Sequence, residues 1–313
     1  MDKRSEEPLT EHQTDPFYTI VWTPVKVAEA WEKKIQYKED ALFIAGGTFI
    51  QLQREKGTPL PKHVISLEQI KEMKGITKEE SEEGTFLKIG ALTSLAGFLR
   101  DDDLKEHYPF LIEAVKNVAA PAVRNRGTIG GNISYGKGDI IPALLVLQAK
   151  VTYFSEAEYI TEPIEEYMEA LYDKAQDPTS RLLLSISLPF EEVQNKPFRF
   201  YKKVGRREAF TASMLTVACS GELDSKGGTG TLKNIRLACG GGDHHPERLT
   251  GCEQMLEGTV YHPLLMKDLY DGVMEEFSPM SDPFSSASYK KKVAANIMVS
   301  EFHRLIEQKR KEK

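Results

Sequence analysis

Ala45-Gly46-Gly47-Thr48 and Thr128-Ile129-Gly130-Gly131-Asn132 each place a Gly-Gly pair beside a threonine. The first segment ends a short apolar run, residues 41–45, whose length and composition indicate a buried strand. Two glycines directly after a strand allow a positive φ and leave no β-carbon in the way of a ligand. Consecutive amides in such a turn can converge on a phosphate, and the Thr48 hydroxyl could add a donor. A tight turn between a strand and a helix is the alternative interpretation.

The second segment repeats this pattern farther along the chain. Together the two segments could hold both phosphates of a dinucleotide from opposite sides, and Asn132 could fix its own loop or reach the ligand. Asp139, a single acid downstream, is suited to bind ribose hydroxyls, as acids do in other dinucleotide sites. The chain has neither a GxGxxG fingerprint nor a GxxxxGK[ST] phosphate loop. The sequence therefore predicts a nucleotide site of a different type.

The length and charge of the chain limit its domain number and the classes of ligand that it can bind. At 313 residues the chain is long for one compact core, so two or three domains are expected. The formal net charge of −6 argues against a nucleic-acid surface, which needs clustered Lys and Arg. No apolar run approaches the roughly 18 residues that a membrane span requires. Residues 1–14 are polar and are predicted to be a disordered lead-in rather than a secretory signal.

The three cysteines are Cys219, Cys239 and Cys252. Their odd number and wide spacing favour reduced thiols in a cytoplasmic protein. They are too few for an iron–sulfur cluster held by four cysteines within this chain. Cys219 and Cys239 lie in predicted strands and are expected to be small buried hydrophobic residues. Any redox chemistry would therefore use an organic cofactor or a partner's metal.

Hydrophobic periodicity predicts a first unit over residues 15–180 and a second over 181–313. In the first unit, Thr23 and Pro24 are predicted to open a helix, and the charged stretch 71–83 to form a solvated turn and loop. The apolar stripe of that helix is predicted to consist of Val27, Ala30, Trp31 and Ile35. The strands of the second unit are predicted at 182–188, 199–203, 215–223 and 235–239, with a hairpin loop at 227–230. Two helices, near 249–256 and 284–309, are predicted to close the chain.

Several motifs of the chain are similar to those of one protein family. They are AGGT at 45–48, TIGGN at 128–132 with GD and PALL after it, and YKK and RRE farther on. They are similar to the FAD-binding subunits of molybdenum hydroxylases, from about Phe17 to Leu305. The resemblance implies an α+β protein. Its N-terminal part would be an FAD domain of the vanillyl-alcohol-oxidase type in two subdomains. An α+β domain with an antiparallel sheet would follow.

The resemblance also implies which residues bind FAD. By position, the pyrophosphate would lie against Phe43, Ile44, Ala45, Gly46, Gly47, Thr48, Phe49 and Ile50, and against Thr128, Ile129, Gly130, Gly131 and Asn132. Asp139 matches the position that contacts the ribose or adenosine part of FAD in the family. Leu183 and Lys202 match positions that contact the flavin ring. Phe49 replaces the acid or small polar residue of many relatives, and the segment from Asn132 to Asp139 is shorter than usual. The neighbouring Lys203 and Arg206 are expected to be solvated.

The function implied by the resemblance is electron transfer with non-covalent FAD. A molybdopterin-binding large subunit and a 2Fe-2S small subunit would be the partners. NAD⁺ would be the electron acceptor, with xanthine dehydrogenase as the type of complex. Carbon monoxide or nicotinate dehydrogenase, a self-contained flavin oxidase or reductase, and a non-catalytic assembly subunit are the alternatives. No catalytic constellation is predicted within this chain. His244 and His245 are expected to lie in a polar loop, because a metal site needs three or four converging ligands.

Overall fold

A computed structural model describes residues 18–82, 84–173, 180–190, 197–205, 213–224, 230–242 and 244–311. The predicted lead-in, residues 1–14, lies outside the described residues. So do Arg206, Arg207 and most of the predicted hairpin loop at 227–230. The α+β class predicted from the sequence is confirmed, because helices are combined with one parallel and two antiparallel sheets.

A small parallel sheet with strand order β1-β3-β2 begins the described chain. Its elements are β1 (Ile20–Trp22), α1 (Val27–Tyr37), β2 (Ala41–Ile44), α2 (Thr48–Glu55) and β3 (His63–Ser66). The prediction that Thr23 and Pro24 open the first helix is wrong. The preceding residues form an edge strand, and the helix begins at Val27 after an extended Lys26.

The buried face of α1 also differs from the predicted stripe. Val27 and Ala30 are buried as expected, whereas Ile35 is 40% exposed and Lys34 is buried in its place. The Lys34 ammonium donates to the carbonyl oxygens of Lys38 and Ala41, both at 2.7 Å. A lysine can therefore be buried here because its charge meets carbonyls at the end of the helix.

The second sheet has five antiparallel strands in the order β4-β5-β8-β6-β7. Its strands are β4 (Ile76–Ser81), β5 (Gly84–Gly90), β6 (Lys150–Ser155), β7 (Glu158–Pro163) and β8 (Leu182–Pro189). The charged stretch 71–83, predicted as turn and loop, contains β4. This strand lies at the edge of the sheet and is largely exposed, so it needs no alternating apolar pattern.

The strand at 182–189 was predicted to belong to the second unit, and this is wrong. β8 pairs with β5 on one side and β6 on the other, in the centre of the five-stranded sheet. Its residues from Leu182 to Ile186 are all buried, which a central strand allows. The chain changes sheets between Pro189 and Phe198, so the boundary at residue 180 is placed too early.

Helices join these strands and cover the sheet. They are α3 (Leu95–Phe98), α4 (Asp102–His107), α5 (Pro109–Lys116), α6 (Pro121–Arg124), α7 (Ile129–Ser134), α8 (Ile141–Val146) and α9 (Ile164–Tyr172). All six residues of α8 are buried. This helix packs against α5 and also against the strands of the next unit, so it lies at the junction of the two units.

The C-terminal unit is an antiparallel sheet in the order β12-β11-β10-β9, followed by helices. Its elements are β9 (Phe198–Gly205), β10 (Ser213–Asp224), β11 (Thr231–Gly241), β12 (His244–Arg248), α10 (Thr250–Leu256), α11 (Leu265–Glu276) and α12 (Ala287–Lys311). One face joins the core of the first unit through Tyr201, Ala218 and Ala238. The opposite face packs under the three helices. The sheet is therefore covered on both sides.

Cys219 and Cys239 lie on the helix-covered face and are fully buried, as predicted. Burial raises the pKa of both thiols well above the usual value, so they are not activated nucleophiles. None of the described helices combines the length and the apolar character that crossing a membrane requires.

Candidate functional site

The two Gly-Gly segments are in direct backbone contact. A β-carbon at Gly46 would overlap the carbonyl oxygen of Arg126 and would lie 3.1 Å from the amide nitrogen of Gly127. The Arg126 guanidinium donates from Nε to the Gly46 carbonyl oxygen at 3.3 Å. Only glycine permits this approach at position 46. The structure thus brings together two segments that are far apart in the sequence.

Gly47 forms the start of α2 and has a φ of +72°, in the left-handed region. As the N-cap residue it has no side chain, and no cap hydrogen bond is made. The first amides of a helix have no acceptor within the helix, so those of Thr48, Phe49 and Ile50 remain available to a ligand. The helix dipole adds partial positive charge at this end. This end of α2 therefore fits an anionic group.

The amides of the second Gly-Gly pair are used within the protein. Gly130 donates to the carbonyl oxygen of Ala91 at 2.9 Å, and Gly131 donates to Thr128 Oγ1 at 3.1 Å. A β-carbon at Gly130 would lie 2.6 Å from that of Ala91. Both amides therefore already have acceptors within the chain, and their contact with phosphate stays a prediction. Thr128 caps α7, and Gly130 packs that helix closely against the strand region.

Asn132 fixes its own loop, one of the two roles considered for it. Its Oδ1 accepts from the amide of Ile140 at 3.4 Å, and it lies so close to Gly138 that no β-carbon fits there. The loop between these residues carries Asp139. Asn132 therefore positions the segment that holds the predicted ribose-binding acid.

Two aromatic rings lie across the junction of the segments. Phe49 of α2 and Tyr135, directly after α7, have ring centroids 4.2 Å apart. They are 39% and 43% exposed, so large apolar surfaces face outward beside the open end of α2. The sequence indicated Phe49 both among the residues expected at the pyrophosphate and as a departure from relatives, and it did not indicate Tyr135 or Arg126. No local pattern identifies these two residues, because their partners come from another segment.

Asp139 joins the two units. Its Oδ2 lies 2.7 Å from Lys203 Nζ, Ser213 Oγ donates to Oδ1, and the Tyr201 hydroxyl donates to its carbonyl oxygen at 3.0 Å. Burial raises the pKa of Tyr201, so that hydroxyl stays protonated and donates. Each carboxylate oxygen can accept more than one hydrogen bond, so these contacts leave capacity for a ribose hydroxyl.

Lys203 was expected to be solvated, and this is wrong. Its side chain is only 10% exposed, and Nζ also donates to the carbonyl oxygen of Asn117 at 2.8 Å. The alternation of β9 explains the difference. Tyr201 and Lys203 face the first unit, whereas Phe200 and Lys202 face the C-terminal helices.

The side chains of Lys202 and Leu183 contact other parts of the protein rather than the Gly-Gly segments. Lys202 Nζ pairs with Glu301 of α12 at 3.2 Å, on the face of the sheet opposite Lys203. Leu183 is buried in β8 and pairs with Tyr153. The next residue, Leu184, accepts from the amide of Ala91, whose own carbonyl accepts from Gly130. Leu183 is thus linked to the second segment only through the backbone behind it.

His244 and His245 make separate contacts. His244 Nε2 lies 2.9 Å from Glu247 Oε1, and the ring of His245 packs on Tyr172 with centroids 3.6 Å apart. Burial, together with Lys137 and His244, lowers the pKa of His245. Among the described residues, no group of three or more His, Cys, Asp or Glu side chains is arranged to hold a metal ion.

Comparisons with known proteins agree with this arrangement. Residues 14–191 match the FAD binding domain in molybdopterin dehydrogenase, and residues 199–305 match the CO dehydrogenase flavoprotein C-terminal domain. The xanthine dehydrogenase FAD-binding subunit of Escherichia coli O157:H7 is 25% identical over 252 residues, 80% of this chain and 83% of that subunit. The carbon monoxide dehydrogenase medium chain of Hydrogenophaga pseudoflava is 27% identical over 277 residues, 88% of this chain and 92% of that one.

A solved structure is also similar in fold. Carbon monoxide dehydrogenase from Hydrogenophaga pseudoflava, in a form lacking the Mo-pyranopterin moiety of its cofactor, superposes with a TM-score of 0.81. The match covers 93% of this chain and 98% of that chain at 24% identity. The first family match alone spans more than half of the sequence. The resemblance inferred from the two Gly-Gly segments is confirmed, and the chain belongs to the family of FAD-binding subunits of molybdenum hydroxylases.

Proposed function

We propose that this chain is the FAD-binding electron-transfer subunit of a xanthine dehydrogenase-type complex. FAD, held non-covalently, would supply the redox chemistry that takes electrons from a 2Fe-2S centre and delivers them to NAD⁺. The single observation that carries the site is the contact of Gly46 with Arg126 beside the uncapped start of α2. The proposed partners are a molybdopterin-binding large subunit and a 2Fe-2S small subunit.

The residues of this chain would bind and orient the cofactor. The amides of Thr48, Phe49 and Ile50 would donate to the pyrophosphate, where the α2 dipole favours negative charge. Asp139 would accept from the ribose, held in place by Lys203. The exposed rings of Phe49 and Tyr135 would cover the cofactor's edge. A subunit that only transfers electrons needs no side chain to act as general acid or base.

Gly46→Ala tests this site. The added methyl group overlaps the Arg126 carbonyl, so the segments must separate and the flavin-to-protein ratio of the purified protein should fall sharply. Gly221→Ala is the matched control, because its β-carbon would lie 2.6 Å from Ile235 Cδ1 and Phe198 Cζ, in the other unit. It should lose stability by overpacking and keep its flavin. Equal flavin loss in both variants would contradict the site.

Xanthine is the proposed organic substrate, supported by the similarity to the E. coli xanthine dehydrogenase subunit. Carbon monoxide is the second candidate, supported by the longer match to the H. pseudoflava medium chain. Nicotinate follows, since the nicotinate dehydrogenase FAD-subunit of Eubacterium barkeri is 25% identical over 79% of this chain. In each case the substrate pocket would lie in the large subunit.

The substrate and the acceptor are tested separately. The complex, purified with its partner subunits, is mixed without oxygen with xanthine, carbon monoxide or nicotinate, and flavin absorbance is followed. Bleaching by xanthine alone supports the proposal, and bleaching by another substrate alone reassigns the complex. NADH should bleach the isolated flavoprotein if NAD⁺ is the acceptor. Turnover of an organic substrate by this chain alone would instead indicate a self-contained flavoenzyme.

A cytoplasmic location is part of this proposal. It is supported by the three cysteines, all of which are free and buried. Fractionation of the native host, with the flavoprotein followed by antibody, would test it.

A further inference from the structure

A cavity of about 380 Å³ lies between the two units, away from the Gly-Gly segments. It opens beside Leu147 and Gln148, which follow the C-terminal end of α8, whereas Asp139 lies before the N-terminal end of that helix. Its floor is the face of the C-terminal sheet that carries Arg199, Ser220 and Arg236. It is therefore separate from the proposed cofactor site.

Three floor residues form one row across the sheet. Ser220 of β10 pairs with Arg199 of β9 on one side and Arg236 of β11 on the other. Paired residues project to the same face, and neighbouring strands are about 4.8 Å apart. Arg199 donates from Nε to Ser220 Oγ at 3.0 Å, so its guanidinium extends over the middle strand. Arg199 and Arg236 thus lie on the strands at either side of Ser220, on the same face of the sheet.

Arg236 is not satisfied by the protein. Its Nε is buried, and among the described residues no acceptor lies within hydrogen-bond distance of it. Its Nη1 donates only to the carbonyl oxygen of the preceding residue, Ile235, at 2.9 Å. A guanidinium has five donors, and leaving one buried without a partner is unfavourable. Such a group in a native protein indicates an acceptor supplied from outside the chain.

The carboxylate among the described lining residues does not supply that acceptor. Glu222 also lines the cavity, but its Oε1 accepts from Asn234 Nδ2 at 3.1 Å. Among the described lining residues, Arg199 and Arg236 are the cations and Glu222 the carboxylate. Arginine forks match the oxygens of phosphate and carboxylate groups. A tetrahedral phosphate offers more oxygens than a carboxylate to the two forks and the Ser220 hydroxyl.

We propose that this cavity is a binding site for a phosphate group, held between Arg199 and Arg236 over Ser220. The cavity has room for more than a bare phosphate, so a small phosphate ester is also accommodated. The ligand contacts both units, because the arginines belong to the C-terminal sheet and Gln148 to the first unit. Its binding should therefore raise the melting temperature of the protein.

Titration calorimetry with inorganic phosphate on the FAD-loaded protein tests the proposal. Arg236→Met should weaken phosphate binding by about tenfold or more, because charge-assisted hydrogen bonds are lost. Arg236→Lys should weaken it less, since the charge is kept and only the fork is lost. Arg304→Met is the control, because Arg304 is an exposed residue of α12 paired with Glu301 and should leave phosphate affinity unchanged. Acetate should bind more weakly than phosphate.

Several outcomes would overturn the proposal. These are no phosphate binding by the unaltered protein, equal affinity in Arg236→Met, or acetate binding as tightly as phosphate. Phosphate bound at the start of α2 would compete with FAD and would not respond to Arg236. If Arg236→Met does not fold, judged by flavin content and circular dichroism, Arg199→Met provides the same test. The titration can also be made on protein without FAD, so it does not depend on the proposed function.

Discussion

At Gly46 a β-carbon would overlap the backbone of Arg126, whereas at Gly47 it would lie 3.4 Å from Ile44 Cδ1, an ordinary contact. What excludes other residues at position 47 is its φ of +72°, which L-residues other than glycine adopt only at a cost. The two neighbouring glycines of this motif are therefore required for different physical reasons. One permits the approach of a second segment, and the other orients the first amides of α2.

Gly47→Ala should therefore cost about 1 kcal/mol of stability and reduce flavin content, because the strained cap redirects the α2 amides. Gly57→Ala is the matched control, because Gly57 lies just after the C-terminal end of the same helix. It has a φ of +91° and open space around the β-carbon, so it should cost a similar amount and leave flavin content unchanged. Urea denaturation and the flavin-to-protein ratio measure the two effects. A Gly47→Ala protein that retains full flavin would show that α2 does not hold the cofactor.

Lys203→Met should destabilise the protein by on the order of 3 kcal/mol, because it leaves the largely buried Asp139 carboxylate without its cation. It should also lower FAD affinity, since Asp139 is no longer held in place. Lys202→Met, one residue away, removes a half-exposed pair with Glu301 and should cost less than about 1 kcal/mol. Urea denaturation distinguishes the two variants. Equal stability losses would be inconsistent with the buried position of Lys203.

At the scale of elements, the segment before α12 depends on one carboxylate. Asp282 accepts from the amides of Phe284 and Ser285, and its Oδ2 lies 2.6 Å from Lys290 Nζ. Lys290 is only 1% exposed, and its ammonium also donates to the Met280 carbonyl. The Lys290 ammonium, with the Phe284 and Ser285 donors, lowers the pKa of Asp282 to about 2 from the usual 3.8. The carboxylate therefore stabilises the folded state while it is ionised.

Asp282→Asn should accordingly be less stable than the unaltered protein at neutral pH. A pKa that is depressed on folding adds stability above the unfolded value of about 3.8, and this stability is lost as pH falls through about 2. The difference between the two proteins should thus be constant above about pH 5 and shrink between 4 and 2. Urea midpoints at several pH values measure it. Asp271→Asn, which removes an exposed pair with Lys267, should show almost no difference at any pH.

The two Gly-Gly segments also differ as elements. The first leads into α2 and leaves its opening amides free, whereas α7 begins with a threonine cap and its glycine amides are bonded internally. The similar sequence pattern thus produces one helix start without a side-chain cap and one supporting contact. The difference arises because Ala91 and Thr93 accept the amides of Gly130 and Ile129, and neither acceptor lies in the motif.

At the scale of the whole molecule, both faces of the sheet in the C-terminal unit pack against helices. α8 of the first unit covers one side and α10 to α12 cover the other. Separating the units would expose the apolar residues of α8 to water, at about 25 cal/mol per Å² of apolar area. The Asp139–Lys203 pair adds a polar connection at the same junction. The units therefore support each other's folded state.

The protein should consequently unfold in one calorimetric transition rather than two. FAD at a hundredfold excess over its Kd should stabilise the folded state by about 2.7 kcal/mol and shift the whole transition upward. Gly46→Ala should largely abolish this shift. Scanning calorimetry with and without FAD provides the measurement. Two separate transitions, of which FAD moves only one, would show that the units unfold independently.

Local chemistry in the sequence identified the strand before Gly46, the Gly-Gly segments and several helices, and the motifs carried the resemblance to the family. These features depend on neighbouring residues: apolar runs, the conformational freedom of glycine and the oxygen of a threonine cap. Local chemistry did not place β8 in its sheet or identify Tyr135 and Arg126 as neighbours of the first segment. Nor did it show that Lys203 is buried.

The sequence by itself determined that two glycine-rich turns follow the pattern of an FAD-binding subunit. Only the tertiary structure decided which amides remain free, which lysine of β9 faces Asp139, and that Arg236 Nε meets no acceptor in the described part of the chain. The physical reason is that a donor's availability depends on the acceptors packed against it. Those acceptors, such as Ala91 for Gly130 and Asp139 for Lys203, come from segments that only the folded chain brings together.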